Sequence, residues 1–339
     1  MSAVPALTSV AAAAGDTQRF VTFEVPGWVW AAFLAAIAAM LIVDLLLVHR
    51  TAHVITFREA AIESAVWIAI GLSFTLVMLA WQGTGAAAEY LTGYVIEKSL
   101  SVDNVFVWAV IFTYFGVPPQ YQFRPLFWGI FGALVLRGVF IFAGVALLER
   151  FDWMLYVFGA ILLVGAYRIA RHADTEVHPE RNLVFRLVRR VVPSTSEYDG
   201  QKLFTRRSGR LLATPLFAVL IMIESTDVVF AVDSIPAILA VAREPFIVFS
   251  SNAFAILGLR ALYFCLAGMA ERFRYLNVGL GVILGFVGLK MLVANVYHLP
   301  TWASLAFITS VLVVVMVTST RAARREARRQ PVGGPDEES

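Results

Sequence analysis

Residues 224–239 read ESTDVVFAVDSIPAIL, and this stretch places three carboxylates in a run that is otherwise apolar. With the apolar residues 215–223 before it, the run is long enough to cross the hydrocarbon core of a membrane as a helix. An ionised carboxylate at the centre of such a helix costs about 2.5–3.5 kcal/mol on insertion scales. Because acids within membrane helices mark ion and proton pathways, Glu224, Asp227 and Asp233 are candidate functional residues.

The composition of the whole chain agrees with a membrane protein. Apolar residues make up 59% of the 339 residues and charged residues 15%, against about 45–50% and about 25% in soluble domains. We therefore predict an all-α polytopic membrane protein with about nine transmembrane helices. The predicted spans lie near 27–48, 61–81, 90–114, 125–147, 153–170, 211–232, 246–268, 276–293 and 301–319.

The distribution of Lys and Arg predicts the orientation of the chain. If the N-terminus is outside, twenty basic residues fall in inner segments and three in outer segments. The positive-inside rule then places the N-terminus outside and the C-terminus in the cytoplasm. Basic cytoplasmic loops beside anionic lipid account for the sequence pI of about 9.1, so no nucleic-acid partner is expected. The N-terminal residues lack the basic region of a signal peptide, and we expect no cleavage.

Two segments of the chain resemble each other. SVDNVFVWA at 101–109 aligns without gaps with STDVVFAVD at 225–233, which sets Asp103 against Asp227 at an offset of 124 residues. Two pairs of cations continue the match at offsets of 123 and 122: Arg137 with Arg260, and Arg168 with Lys290. Each unit holds three spans, so the second copy enters the membrane from the opposite side, as in the inverted repeats of secondary transporters.

The repeat divides the chain into seven segments. They are an extracytoplasmic tail at 1–26, two transmembrane helices at 27–89, repeat 1 at 90–170, a cytoplasmic linker at 171–210, repeat 2 at 211–293, the last transmembrane helix at 294–319 and a basic cytoplasmic tail at 320–339. Within the linker, NLVFRLVRRVV at 182–192 predicts a short amphipathic helix on the membrane surface.

Oxygen-bearing side chains gather in the third predicted span. Glu97, Ser101 and Asn104 share one face of a helix, and Asp103 lies about 100° away from that face. Because this span opens repeat 1, the repeat argument sets these groups opposite those of the sixth span, which opens repeat 2.

The sixth predicted span carries the three acids of residues 224–239. Glu224 and Asp227 are three residues apart and share a helical face. Asp233 would point to the opposite side of an unbroken helix. Pro236 predicts a break that turns Asp233 inward and frees backbone carbonyls as ligands, as in the discontinuous helices of transporters.

Carboxylate, amide and hydroxyl oxygens together are the ligands that a hard divalent cation requires. No predicted span carries a central histidine, and the lone Cys265 excludes both an intramolecular disulfide and a site of several thiolates. The ligand chemistry therefore favours manganese, calcium or magnesium over zinc or copper, and it leaves the choice among these three open.

Buried ion pairs are the alternative interpretation of the acids. The cations available within the spans are Lys98, Arg137, Arg260 and Lys290. A buried ion pair is weak evidence for stability, because apolar residues replace it at little cost, so pairing alone does not explain the acids. The repeat makes Arg137 and Arg260 candidate partners of the site.

Other polar residues of the spans are candidates for a supporting role. Asp44 either relays protons or ions or reaches the membrane interface, and Glu63 is interpreted as interfacial. Asn252 either faces the site or makes a hydrogen bond between helices. Ser225 precedes the second acidic motif in the position that Ser101 has in the first.

Four motifs closely resemble the TerC family of bacterial integral membrane proteins, named for an association with tellurium resistance. They are EKSLSVDNVFVWAVIF at 97–112, LFWGIFGALVLRG at 126–138, IESTDVVFAVDSIPAILAV at 223–241 and SSNAFAILGLRALYF at 250–264. The resemblance implies a multi-pass protein of the bacterial cytoplasmic (inner) membrane, linked to metal-ion homeostasis, since members are implicated in manganese export. It places ion binding at Glu97, Asp103, Asn104, Glu224, Asp227 and Asp233.

The sequence thus predicts a gradient-driven exporter of a divalent ion, with manganese first, that exchanges the ion for protons at intramembrane carboxylates. No GxxxxGK[ST] motif is present, and no enzyme activity or fixed cofactor is expected. The expected partners are lipid, the divalent ion as substrate and protons; the oligomeric state stays open. The alternative is a non-transporting assembly or scaffold factor with a structural or sensing metal site.

Overall fold

The computed structural model describes residues 20–45, 55–151, 153–171, 192–195, 197–207, 209–266, 275–293, 299 and 301–329. In chain order, the helices of these residues are α1 Gly27–Val43, α2 Phe57–Phe115, α3 Phe123–Arg150, α4 Met154–Arg171, α5 Pro215–Leu239, α6 Pro245–Leu257, α7 Leu259–Leu266, α8 Leu276–Val293 and α9 Thr301–Arg329. The predicted amphipathic helix at 182–192 lies, except for its last residue, outside the described residues.

Several of these helices are long and apolar enough to cross a membrane. Five such segments occur in the described residues: Phe57–Phe115, Pro119–Arg150, Pro215–Leu239, Pro245–Leu266 and Trp302–Ser319. Shorter apolar helices are Gly27–Val43, Met154–Tyr167 and Val278–Val293. The all-α membrane class is confirmed by these helices, whereas the count of nine spans and the repeat symmetry remain predictions.

Helix α2 contains two predicted spans, separated by a break at Gly83. Gly83 has φ +83° and ψ −171°, a conformation that is essentially reserved for glycine. The two halves, 57–82 and 84–115, correspond to the second and third predicted spans. The helix begins with a capping box, in which Thr56 accepts from the N–H of Glu59 and the Glu59 carboxylate accepts from the N–H of Thr56.

Helix α6 lies at the centre of the packing. Every residue from Phe246 to Leu257 is buried, and α1, α2 and α3 pack against it. A helix that is apolar on all sides belongs in the interior of a large protein. The few polar side chains of α6, such as Asn252, therefore lie among other helices and away from lipid.

The helices that end the two predicted repeats, α4 and α8, pack closely together. A Cβ atom at Gly159 would lie 3.1 Å from the carbonyl oxygen of Gly288, and a Cβ atom at Gly288 would lie 3.0 Å from that of Gly159. Glycine at both positions therefore lets the two backbones meet. Helix α5, which opens the second predicted repeat, packs on α2 and α3. These contacts join the two predicted repeats along their length.

The predicted break in the sixth span is wrong. Pro236 lies inside α5, and the helix continues to Leu239. Proline removes one backbone donor and crowds the preceding turn, but only one further turn of helix follows it here. The helix ends only after Leu239, and the connection 240–244 separates it from α6, which begins at Pro245. Asp233 therefore keeps the direction that a continuous helix gives it.

The linker ends in a β-hairpin that the all-α prediction missed. Strand β1, Phe204–Arg207, pairs antiparallel with β2, Arg210–Ala213, and Gly209 takes φ +77° in the turn. The Thr214 hydroxyl donates to the carbonyl oxygen of Lys202 at 2.7 Å. Because the hairpin uses residues 210–213, the next helix begins at Pro215, four residues later than predicted.

Residues 20–26, here called the N-terminal strap, form contacts with two helix ends although they were predicted as part of a polar tail. The N–H of Val21 donates to Oε1 of Glu89 at 2.9 Å, and the N–H of Phe23 donates to Oε2 of Glu244 at 3.5 Å. The Phe23 ring packs edge-on against Trp81, with centroids 5.4 Å apart. Burial raises the pKa of the Glu244 carboxyl. The strap thus joins α2 to the connection between α5 and α6.

We expect cysteines at positions 21 and 85 to form a disulfide in the Val21→Cys/Gly85→Cys variant. Cγ2 of Val21 lies 2.9 Å from the position of a Cβ atom at Gly85, close enough for a bridge between the two side chains. With the native Cys265 replaced by serine, maleimide labelling of the oxidised protein should be at least tenfold lower than after reduction. In the control, Gly27→Cys/Gly85→Cys, labelling should not depend on reduction, because a side chain at Gly27 meets nothing within 4 Å. Equal labelling of both variants would disprove the position of the strap.

Candidate ion-binding site

Arg137, in the middle of α3, joins three helices through its guanidinium group. Nη2 donates to Oδ1 of Asp227 at 2.8 Å, and Nε donates to Oδ2 of the same carboxylate at 3.1 Å. Nη1 forms an ion pair with Glu97 and donates to the Ser234 hydroxyl at 3.1 Å. One cation therefore binds a carboxylate of α2 and a carboxylate of α5, the helices that open the two predicted repeats.

Neighbouring polar side chains hold these two carboxylates in place. The Ser101 hydroxyl donates to Oε1 of Glu97 at 3.2 Å, and Nδ2 of Asn104 donates to Oδ1 of Asp227 at 3.4 Å. The predicted grouping of Glu97, Ser101 and Asn104 on one face of a helix is therefore confirmed. Ser234 was not predicted, although its spacing of seven residues from Asp227 places both on the same face of α5.

We call these six residues the central cluster: Glu97, Ser101, Asn104, Arg137, Asp227 and Ser234. None of them is more than 4% exposed. Within the described part of the chain, Oε2 of Glu97 and Oδ1 of Asn104 are buried without a hydrogen-bond partner. A buried acceptor without a donor costs about 1–3 kcal/mol, and each such group calls for an explanation, such as an ion or a water molecule. The central cluster therefore has spare oxygen ligands.

Glu224 lies one helical turn before Asp227 on α5, as predicted from their spacing. Its carboxylate contacts the backbone of α3 at Gly132, where an added Cβ atom would lie 1.9 Å from Oε1. Oε2 of Glu224 is buried, and it too has no hydrogen-bond partner among the described residues. The absence of a side chain at Gly132 therefore leaves room for the Glu224 carboxylate.

The structure separates Asp233 from the central cluster. All four hydrogen bonds of Arg137 go to Glu97, Asp227 and Ser234, whereas the Asp233 carboxylate lies against α4, where a Cβ atom at Gly165 would be 3.2 Å from Oδ1. The continuous helix through Pro236 explains this placement. Asp103 lies on α2, and its side chain is outside the described residues, so its role as a ligand stays a prediction.

A second buried cluster surrounds Arg260, the residue that the repeat aligns with Arg137. Nη2 of Arg260 donates to Oδ1 of Asp44 at 2.6 Å and also forms an ion pair with Glu63. The guanidinium lies over the ring of Phe123, 4.4 Å from its centroid. Arg260 therefore pairs with Asp44, which directly follows α1, and with Glu63 in the first half of α2. Both acids lie outside the predicted repeats. Both acids are thus partners of a buried arginine, whereas the interfacial position of Glu63 and the two alternatives for Asp44 stay predictions.

The remaining polar residues of the spans differ in their hydrogen bonds. The Ser225 hydroxyl donates to the carbonyl oxygen of Met222 on its own helix at 3.0 Å. Asn252 is buried in α6, and its Nδ2 has no hydrogen-bond partner in the described part of the chain. Lys98 donates to the carbonyl oxygen of Ala255 at 3.1 Å. Its hydrogen bond thus goes to a backbone carbonyl near the end of α6 and not to an acid.

The described residues contain no group of three or more His, Cys, Asp and Glu side chains that could hold a metal ion. The central cluster supplies two carboxylates, one amide oxygen and two hydroxyls, and Arg137 stands between the carboxylates. Oxygen ligands of this kind suit a hard cation. In the structure these oxygens bind the guanidinium of Arg137.

Comparisons with known proteins agree with the motifs. The model of the family described as "Integral membrane protein TerC family" matches residues 82–327. An uncharacterized membrane protein of Myxococcus xanthus is 47% identical over 302 residues, covering 89% of this chain and 94% of the relative. The "Putative membrane-bound redox modulator Alx" of Escherichia coli K12 is 47% identical over 298 residues, covering 85% and 92%. A Rickettsia conorii membrane protein is 36% identical over 290 residues, covering 86% and 96%. No solved structure matches the chain.

Proposed function

This chain belongs to the TerC family of integral membrane proteins, and we propose that it exports a divalent metal ion, manganese above all, across the bacterial inner membrane. The proposal rests on the central cluster, in which carboxylates of α2 and α5 are buried together with spare oxygens on Glu97 and Asn104. Buried acids at the meeting point of two repeats are where secondary transporters bind substrate. The proposed orientation has the N-terminus outside and the C-terminus in the cytoplasm.

In this proposal the ion moves because the two predicted repeats change their relative position. The ion enters from the cytoplasm and binds oxygens contributed by α2 and α5. Rocking of the repeats against each other then opens the site to the outside, where the ion leaves. Protons that enter in exchange neutralise the acids, since carboxylates held close together bind protons more readily than isolated ones. The sequence contains no nucleotide-binding motif, so an ion gradient would drive the export.

The name of the Escherichia coli relative suggests a redox role for that protein, and one feature of this chain bears on the suggestion. Cys265 is the single cysteine, and its sulfur lies 3.8 Å from the hydroxyl oxygen of Ser64 on α2. Exchange between a dithiol and a disulfide within one chain requires two cysteines. Metal transport therefore fits the residues of this chain better than thiol chemistry does.

The alternative function, a membrane assembly or scaffold factor, has one observation in its favour. Glu97 and Asp227 are both paired with Arg137, and all three are almost fully buried. A closed ion pair of this kind also suits a purely structural site. The unpartnered oxygens of Glu97, Asn104 and Glu224 favour transport instead, because a structural site gains nothing from buried acceptors that lack donors.

Flux measurements on the purified protein test the proposed function. The protein is reconstituted in liposomes that enclose a dye sensitive to divalent ions, and manganese, calcium and magnesium are added with and without a pH gradient. We expect manganese flux that increases with the pH gradient and is lost in Asp103→Asn. If the wild-type protein moves none of the three ions under any gradient, the exporter proposal fails and the scaffold function takes its place.

A further inference from the structure

The Arg137 guanidinium occupies the position between two carboxylates that a bound cation would take. It donates to both oxygens of Asp227 and pairs with Glu97. We propose that Arg137 is a tethered cation which occupies the substrate site when no metal ion is bound, so that the metal ion and the guanidinium exclude each other. This inference rests on the proposed function, since it concerns the same site.

Electrostatics requires the exclusion. The described part of the central cluster contains two carboxylates and one guanidinium, all at most 4% exposed. A divalent ion bound between Glu97 and Asp227 would stand beside a fixed positive charge in a region with little water to screen it. Arginine cannot relieve this repulsion by releasing a proton, because it stays charged in proteins. The guanidinium must therefore leave the carboxylates before the metal ion binds them.

The surroundings of Arg137 offer a place for the displaced guanidinium. Glu224 lies one turn from Asp227 on the same face of α5, and its Oε2 has no hydrogen-bond partner in the described residues. Arginine has a long and flexible side chain that can follow a carboxylate over one helical turn. Transfer of the guanidinium from Asp227 to Glu224 would keep the charge paired while the metal ion takes the position it has left.

A tethered cation also explains how the acids remain buried while no metal ion is bound. Two unpaired carboxylates buried in the membrane would be strongly unfavourable. With Arg137 between them, the charge of the metal-free site is compensated. Arg137 is thus a positioning residue for the carboxylates, and its bonds compete with the metal ion.

Thermal unfolding with and without MnCl2 tests the inference in detergent-solubilised full-length protein. Arg137→Gln should unfold at a lower temperature than wild type without metal, because buried acids lose their cation. Added Mn²⁺ should restore its stability, since a ligand of the folded state raises the unfolding temperature. The Mn²⁺ concentration that gives half of the maximal rise in unfolding temperature should be at least tenfold lower for Arg137→Gln than for wild type, because the competing guanidinium is absent. Arg137→Lys, which keeps a charge but cannot form the same paired bonds, should lie between the two.

Arg260→Gln is the matched control, since among the described residues it removes the other buried arginine and leaves the central cluster complete. It should lose stability, and Mn²⁺ should not restore it more than it stabilises wild type. The inference would be overturned if Mn²⁺ raised the unfolding temperature of both Arg137 variants no more than that of wild type. It would also be overturned if Mn²⁺ changed none of these temperatures. Thermal unfolding does not depend on transport. Its result therefore stands even if the protein moves no ion in liposomes and the exporter proposal fails.

Discussion

Asp227→Asn is expected to reduce manganese flux in liposomes by on the order of a hundredfold or more, to the level of empty liposomes. Asparagine has nearly the same shape as aspartate, so it preserves the packing of α5 against α3. It lacks the negative charge, and its amide nitrogen would face Arg137, which now donates two hydrogen bonds to that carboxylate. Removing one partner of a buried charge pair costs about 3–5 kcal/mol of folding stability, so flux is compared at equal amounts of folded protein. The loss of flux follows from the missing anionic ligand, because a hard divalent cation needs carboxylate oxygens.

The control for this variant removes an acid elsewhere in the protein. Asp199 lies in the linker and pairs with Lys202 at 3.0 Å in an exposed position, where an ion pair contributes at most about 1 kcal/mol. Asp199→Asn should therefore keep wild-type flux at equal protein levels. Wild-type flux in Asp227→Asn would show that the central cluster is not the transport site, and it would do so even if the protein transports manganese by another route.

Hydropathy and helical spacing were sufficient to predict the helices of the membrane region. Apolar runs are a local property of the chain, so the positions of most helices could be found without knowing their partners. The same holds for Glu97 and Ser101, which share a helical face and are joined by a hydrogen bond. The hairpin at 204–213 was missed because its strands of four residues are too short to show a periodic pattern.

The partners of the charged residues could not be predicted, because they depend on how distant helices pack. The repeat suggested equivalent roles for Arg137 and Arg260, but Arg260 pairs with Asp44 and Glu63. Both acids precede residue 90, where the first predicted repeat begins, and the repeat pattern therefore contained no information about them. The prediction of a helix break at Pro236 failed for a related reason. The tendency of proline to break a helix is local, and the packing of α5 among buried residues outweighed it.

Gly132→Ala is expected to lower manganese flux at least tenfold while the protein remains folded. A Cβ atom at position 132 would lie 1.9 Å from Oε1 and 2.4 Å from Cδ of Glu224, so the carboxylate must move away. The carboxylate is the end of a flexible side chain, and alanine favours the helix by about 1 kcal/mol over glycine, so the unfolding temperature should change little. The substitution removes no charge and displaces an acid of the proposed site, which makes it a test of position alone.

Two further variants separate this effect from a general effect of alanine in the membrane. Gly285→Ala should keep wild-type flux, since its Cβ atom would meet the Cβ atom of Ala166 at an ordinary 3.7 Å. In a Glu224→Ala background the steric conflict is absent, so adding Gly132→Ala should cause no further loss of flux. If Gly132→Ala transports like wild type, the position of the Glu224 carboxylate does not matter for transport. The proposed acceptor for the displaced Arg137 guanidinium would then have to be sought on another residue, because a misplaced Glu224 could not receive it.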